Sequence, residues 1–286
     1  MCIRDSNTGG NLLNKGTGAL VGVMTLIGRI AFILLIVILF VLFLTLGVSL
    51  ITRLFTTSGS PHLIDGLKDA TEMTIIHQDP SIKGSIPVIR SVNERDGLEF
   101  TWSVWIFVNS LSPEGQLKHI FHKGNDNINF NNTDLPMGLN YPNNGPGLYI
   151  DSGSNALVIY MNTFNNIVEE IKVDNLPMKK WVNVMIRCDN KNLDVYINGT
   201  IAKRHILNSV PKQNYGDVYV NMNNGFTGNL SDLWYFNKAL GLSKIQSIVE
   251  KGPNLKMAGD SAISKNHPPY LSLRWYLMGS KDGYNP

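Results

Sequence analysis

Leu98-Glu99-Phe100-Thr101-Trp102-Ser103-Val104-Trp105-Ile106-Phe107-Val108 is the stretch on which the fold turns. Phe100, Trp102, Val104, Ile106 and Val108 share one parity; Thr101, Ser103, Trp105 and Phe107 share the other. A two-residue period places each set on its own face of a β-strand. Trp181–Asp189 repeats the pattern, with Val182, Val184, Ile186 and Cys188 on one face and Asn183, Met185, Arg187 and Asp189 on the other. That parity makes Cys188 a small buried hydrophobe.

Leu193–Ile197 and Ile201–Ile206 flank Asn198-Gly199, the dipeptide that fills a type I′ turn because both central residues need positive φ. Shorter apolar segments at Leu117–Phe121, Gly147–Asp151, Ala156–Asn162, Ile167–Val173, Asp217–Met222 and Gly228–Phe236 read as further strands, and Leu271–Leu277 as a closing one. Leu63–Ala70 reads as a short helical turn. Leu242–Glu250 carries apolar residues at Leu242, Ile245, Ile248 and Val249, the spacing of one short helix. The fold class is all-β.

Upstream the texture is different. Ile30–Ile51 carries no charge, and its residues are Ile, Leu, Phe or Val except at Ala31, Thr45, Gly47 and Ser49. The run is long enough to cross a bilayer, with a summed insertion preference on the order of −8 kcal/mol. It lacks the polar stripe of a core helix and exceeds the length of a cleaved signal segment. Arg29 and Arg53 bracket it. The expected organisation is a disordered tail at 1–18, a transmembrane helix with its flanks at 19–55, a linker at 56–72, a β-sandwich at 73–280 and a tail at 281–286. Met1–Ser6 does not resemble the rest of the chain. Lys15 and Arg29 before the helix nearly balance Arg53 and Lys68 after it. The short leading tail favours an inside amino terminus and an extracytoplasmic domain, on a cell surface or a viral envelope.

The net charge is +3, and the basic residues are dispersed. Nucleic-acid binding needs a clustered cationic face, so that partner is not expected. Cys2 and Cys188 fall on opposite sides of the expected membrane, so no disulfide staples the domain within one chain.

Three stretches, in order, carry a resemblance. Phe100-Thr101-Trp102-Ser103-Val104-Trp105-Ile106 resembles an early core strand, and Ile120-Phe121-His122-Lys123-Gly124 the edge strand and turn after it. Trp181-Val182-Asn183-Val184 through Leu193–Gly199 resembles a central hairpin. Gly228–Leu240, followed by Ile245, resembles a late strand and small helix. The family is the laminin-G-like branch of the concanavalin A-like lectin/glucanase superfamily, and the likeness covers a little over half of the chain. It implies a jelly-roll sandwich of two antiparallel sheets. That fold hosts glycan binders, adhesion modules and glycosidases, so function must be argued from sites.

A glycosidase needs two facing carboxylates, and the family's hydrolases carry a Glu-x-Asp-x-x-Glu strand that is absent here. Glu169 and Glu170 are adjacent and point to opposite faces, as solvated strand charges; Asp174 follows. No enzyme is expected. His119 and His122, three apart on a strand, are also expected on opposite faces, which argues against a shared metal. Asp232, with the parity of Leu230, Trp234 and Phe236, is expected to be structural.

The resemblance allows calcium at a sheet rim. Oxygen ligands for it are available at Asn125, Asp126 and Asp134. No other cofactor is expected. Rim residues Asn143, Asn144, Tyr149, Asn223 and Asn224 are the candidates for ligand binding, with Tyr141, Tyr160, Tyr215 and Phe226 as further aromatics. Asn131, Asn198 and Asn229 begin N-x-Ser/Thr sequons, the tight turn restricting Asn198.

The expected function is a membrane-anchored lectin-like module that presents its sandwich to a carbohydrate or glycoprotein. The alternative is a structural or assembly protein of a cell or viral envelope. A glycoside hydrolase on the same fold ranks third.

Overall fold

The structure is a computed structural model that describes residues 10–55, 59–91, 93–94, 97–111 and 115–258. The chain divides into two units, residues 1–57 and 58–286.

The described residues of the first unit form a single helix, α1 (Gly10–Phe55). Its segment Gly28–Ile51 is long and apolar enough to cross a membrane, and its side chains are exposed. Gly10–Gly18, expected to be disordered, belong to α1. Extending an existing helix costs far less than nucleating one, so a strong apolar helix carries a weak flank along.

The second unit is a β-sandwich. Its strands are β1 (His62–Asp69), β2 (Thr74–Ile76), β3 (Asn93–Glu94), β4 (Gly97–Ser110), β5 (Leu117–Gly124), β6 (Asn144–Asp151) and β7 (Ala156–Met161). They continue with β8 (Glu169–Val173), β9 (Trp181–Asp189), β10 (Asn192–Ile197), β11 (Thr200–Ile206), β12 (Asp217–Val220) and β13 (Thr227–Phe236), followed by helix α2 (Leu242–Lys251). One sheet runs β1-β13-β4-β9-β10-β11, with β3 paired to β4; the other runs β2-β12-β5-β6-β7-β8. Every pairing within the two sheets is antiparallel.

The alternation read from Leu98–Val108 fixes the core. Phe100, Trp102, Val104, Ile106 and Val108 face inward with Val182, Val184, Ile186 and Cys188. Across the gap stand Ile120, Phe121, Leu148, Ile150, Leu157 and Ile159. Trp102 stacks on Phe121 of the opposite sheet, with ring centroids 5.2 Å apart, and against Tyr235 at 5.0 Å. Cys188 is a free, buried thiol, and burial pushes its pKa up to about 12. The β10–β11 turn takes positive φ at both Asn198 (49°) and Gly199 (79°), as its sequence requires.

The outer faces are covered too. Ile245 of α2 packs with Met185, Tyr196, Phe236 and Leu240 on the first sheet. Leu139, from the long β5–β6 connection, packs with Leu117, Tyr149, Val158 and Tyr160 on the second.

Three further expectations, all on the strands, need correction. Leu63–Ala70 is not helical; nearly all of it is strand β1 against β13, inside the expected linker, so the sandwich starts before residue 73. Register shifts after His62 and after Ile64, with Gly66 at φ 100°, break the alternation into a helix-like spacing. A shift between Ser231 and Trp234 likewise breaks the parity of β13. Leu230, Leu233 and Tyr235 face the core, while Trp234 and Phe236 face α2. Glu169 is no solvated charge either. It is buried, and its Oε1 accepts from His205 Nε2 (2.9 Å) and Asn208 N (2.9 Å). Leu271–Leu277, the tail at 281–286, Cys2 and the spacer residues 56–58 lie outside the described residues.

Phe121 is fully buried and contributes to the cross-sheet stack. Phe121→Ala is expected to cost about 3–5 kcal/mol, read as a lower urea midpoint; a loss under ~1 kcal/mol would contradict this packing.

Candidate functional site

A bulge decides the chemistry of one face. The β5–β6 register shifts between His119 and Phe121, which brings His119 and His122 to the same side, contrary to the strict-alternation expectation. Their rings meet at Nε2–Nδ1 2.7 Å. Met222 N donates to His119 Nδ1 (3.0 Å), so His119 Nε2–H donates to His122, whose own Nε2–H donates to Asn125 O (2.7 Å). Every ring nitrogen is used, and both imidazoles are neutral. Burial, and then the neighbouring His122, hold His119 well below the usual histidine range; burial lowers His122 to about 4.

Tyr149 continues this network. It is fully buried, its hydroxyl hydrogen-bonded to Asn144 Oδ1 (2.7 Å) and Asn140 Oδ1 (3.1 Å). Asn144 is buried as well, its Nδ2 donating to Asn140 O. Tyr149 and Asn144 are therefore framework, not rim residues open to a ligand. Tyr160 and Phe226 are buried with them. Asn143 is exposed on the connecting loop. Asn223 and Asn224, with φ of 50° and 57°, line a groove of about 400 Å³ with Thr71 and Lys118. Asn125 spends its amide inside its own loop, on Tyr141 O and Asn143 N. Asp126 and Asp134 are exposed. Asn131 is exposed, Asn229 half-buried, and Asn198 Oδ1 accepts from Asn183 N (2.8 Å).

Among the described residues, one trio of His, Asp or Glu side chains converges: His62, Asp65 and Asp232. His62 lies flat on Trp234 at 3.8 Å and meets Asp232 Oδ1 at 3.0 Å. Asn254 N donates to Asp232 Oδ2, and Asn254 Nδ2 to Asp65 Oδ1. The buried carboxylate is satisfied by its neighbours and pins β13 to the segment after α2.

One cleft is lined by residues of both sheets. It holds about 390 Å³. Phe100, Trp102, Met161 and Tyr235 form the floor, Lys123 stands in the wall, and Arg90 and Lys212–Tyr215 form the rim. A second groove of about 460 Å³ shares Arg90, Lys212 and Gln213 and adds Phe164.

The frame is tightly bonded. Gln78 accepts from Val88 N and donates to Ile76 O and Ile86 O. Asp217 takes Gln78 N on one oxygen and His77 Nδ1 on the other, at 2.8 Å each. Asn214 donates to Lys123 O (2.9 Å) and accepts from Gly216 N. Above this frame Tyr215 is 80% exposed and Phe164 66% exposed. Lys212 Nζ sits 5.4 Å from the Phe164 ring centre. Lys123 is only 7% exposed. Burial lowers its pKa to about 8, the charge of Asp217 acting in the opposite sense.

Of these residues the sequence pointed only to Tyr215. Lys123 had one readable signal, the same parity as the core residue Phe121.

The geometry defines a two-sheet antiparallel sandwich of lectin type with a preformed end cleft. Residues 85–246 match a laminin-G family model described as the concanavalin A-like lectin/glucanases superfamily. The match spans more than half of the chain, which belongs to this family. No curated protein sequence matches it.

Among solved structures it is similar to the receptor-binding domain of a botulinum neurotoxin C/D mosaic serotype, at 17% identity and TM-score 0.40, over 54% of this chain and 36% of that one. It is also similar to a botulinum neurotoxin type C chain whose cell entry depends on two ganglioside molecules, at 18% identity and TM-score 0.40, over 56% and 36%. The binding domain of serotype G is similar at 13% identity and TM-score 0.43, over 65% and 46%. The chain thus spans less than half the length of these structures. The fold assignment rests on sheet topology and the family match.

The histidine pair gives a pH prediction. Unfolded, each imidazole takes a proton below about 6.5, whereas folded His122 holds out to about 4. Between those values the unfolded chain binds more protons, so stability falls as pH falls. His122 alone accounts for about 3 kcal/mol over that window. Urea midpoints should drop from pH 7 to pH 4.5, with a shallower slope in His122→Gln; parallel slopes would contradict the neutral pair.

Proposed function

We propose that this chain is a binding module of the lectin type, held at a bilayer by α1, and that its ligand is a carbohydrate, free or on a glycoprotein. The supporting observation is the end cleft. It is preformed and within the volume range of ligand sites; the strongly exposed Tyr215 ring stands at its rim, and the exposed Phe164 ring lines the adjoining groove. Sugar rings stack on such faces, and the amphipathic tyrosine can also hydrogen-bond. Membership of a superfamily that includes lectins agrees with this reading but does not choose the ligand.

The sandwich acts as a binder rather than a hydrolase. The carboxylates lining the cleft are Asp79 and Asp217, and both oxygens of Asp217 are engaged. Anchoring would place many copies on one surface, where weak single sites add through avidity.

The full chain in detergent micelles, applied to a glycan array, should retain a defined subset of glycans. Tyr215→Ala should weaken retention by ~10-fold, the equivalent of about 1.4 kcal/mol. Uniform silence, with and without calcium, would reject the proposal; retention by unglycosylated proteins alone would favour the assembly role. Alkaline carbonate washing should leave the chain in the membrane pellet, and release into the supernatant would remove α1 as an anchor.

A further inference from the structure

We infer that the end cleft selects an acidic saccharide, one bearing carboxylate or sulfate, and seats the anion at Lys123. The inference rests on the carbohydrate reading above and narrows it. It follows from an inventory of the donors that the fold leaves unfilled.

Gln78 and Asn214 are spent on the frame, and the amide nitrogen of Gln213 donates to Ser91 Oγ (2.8 Å). What remains is cationic or hydroxylic. Lys123 Nζ has three N–H groups and one acceptor, Gly216 O. An ammonium that is 93% buried with two donors unfilled is costly until an acceptor arrives. Tyr235 is 4% exposed, lines the same floor, and its hydroxyl has no hydrogen-bond partner among the described residues. Arg90 makes a single long contact, 3.5 Å to Tyr215 Oη.

The two carboxylates present do not compete for this role. Asp217 faces His77 and Gln78 N, and Asp79 accepts from Ser81 N (2.9 Å). A buried ammonium, a hydroxyl without a partner and a guanidinium lining one cleft suit an acceptor-rich, negatively charged group. The apolar floor and the exposed Tyr215 ring suit a ring-shaped body behind it. Lys212, shared with the adjoining groove, extends the positive track beyond a single sugar unit.

The test uses the full chain in detergent micelles and three tetrasaccharides of one linkage: a neutral hexose form, a hexuronic-acid form and a sulfated form. Calorimetry at 0.15 M salt should give at least ~10-fold tighter binding for one of the acidic forms, weakening as salt rises. Lys123→Met should abolish that preference. Arg90→Gln, at an exposed position, should reduce it even if the buried replacement unfolds the domain. Equal or tighter binding of the neutral form would overturn the anion assignment and leave the carbohydrate reading standing. No binding of any form, with a silent array, would overturn both.

Discussion

The contact of Trp102 with Phe121 across the sandwich is the constraint on which the rest depends. Burial of two continuous apolar faces supplies the drive to stack the sheets, and this aromatic pair sets their separation near one end. Tyr235 leans on the same indole. Beside this cluster the space between the sheets is lined by Phe100, Trp102 and Tyr235 from one sheet and by Lys123 and Asp217 from the other. The cleft floor is therefore the last layer of the core, and fold and candidate site share residues.

Many polar groups inside the sandwich are closed off by hydrogen bonds, while the buried Thr74 Oγ1, Asn155 Oδ1, Glu169 Oε2, Asn183 Oδ1 and Asn221 Oδ1 have no partner among the described residues. The His119–His122–Asn125 chain and the Tyr149–Asn140–Asn144 cluster close on themselves. So does Asp194, fully buried and held by Arg187 and Arg204 at 2.6–3.2 Å. Networks closed in this way specify one arrangement and offer nothing to a ligand. Lys123, with one acceptor for three donors, and Tyr235, whose hydroxyl has no partner among the described residues, both line the cleft.

Local chemistry carried much of the fold in the sequence. The alternation at Leu98–Val108 and Trp181–Asp189 named the core faces correctly, and Asn198-Gly199 identified its hairpin, because a two-residue period and a positive-φ turn are local properties. Bulges hid the rest. Register shifts in β1, β5 and β13 disguised Leu63–Ala70 as helix, separated two touching histidines and reversed the facing of Trp234. A bulge is set by the partner strand, which lies far away in sequence. The site suffered most. Asn143, Asn144 and Tyr149 looked like rim chemistry, yet two of the three are buried framework. The cleft is assembled from segments near residues 78–90, 100–102, 123, 161, 212–217 and 235, which only tertiary packing brings together.

Hydrogen exchange on the full chain, with and without a hexuronic-acid oligosaccharide, tests the placement of the site most directly. Amides of residues 88–90 and 212–217 should slow on binding, while those around Asn223 and Asn224 remain unchanged. Protection confined to the Asn223–Asn224 groove, or spread over the face that carries α2, would contradict the account.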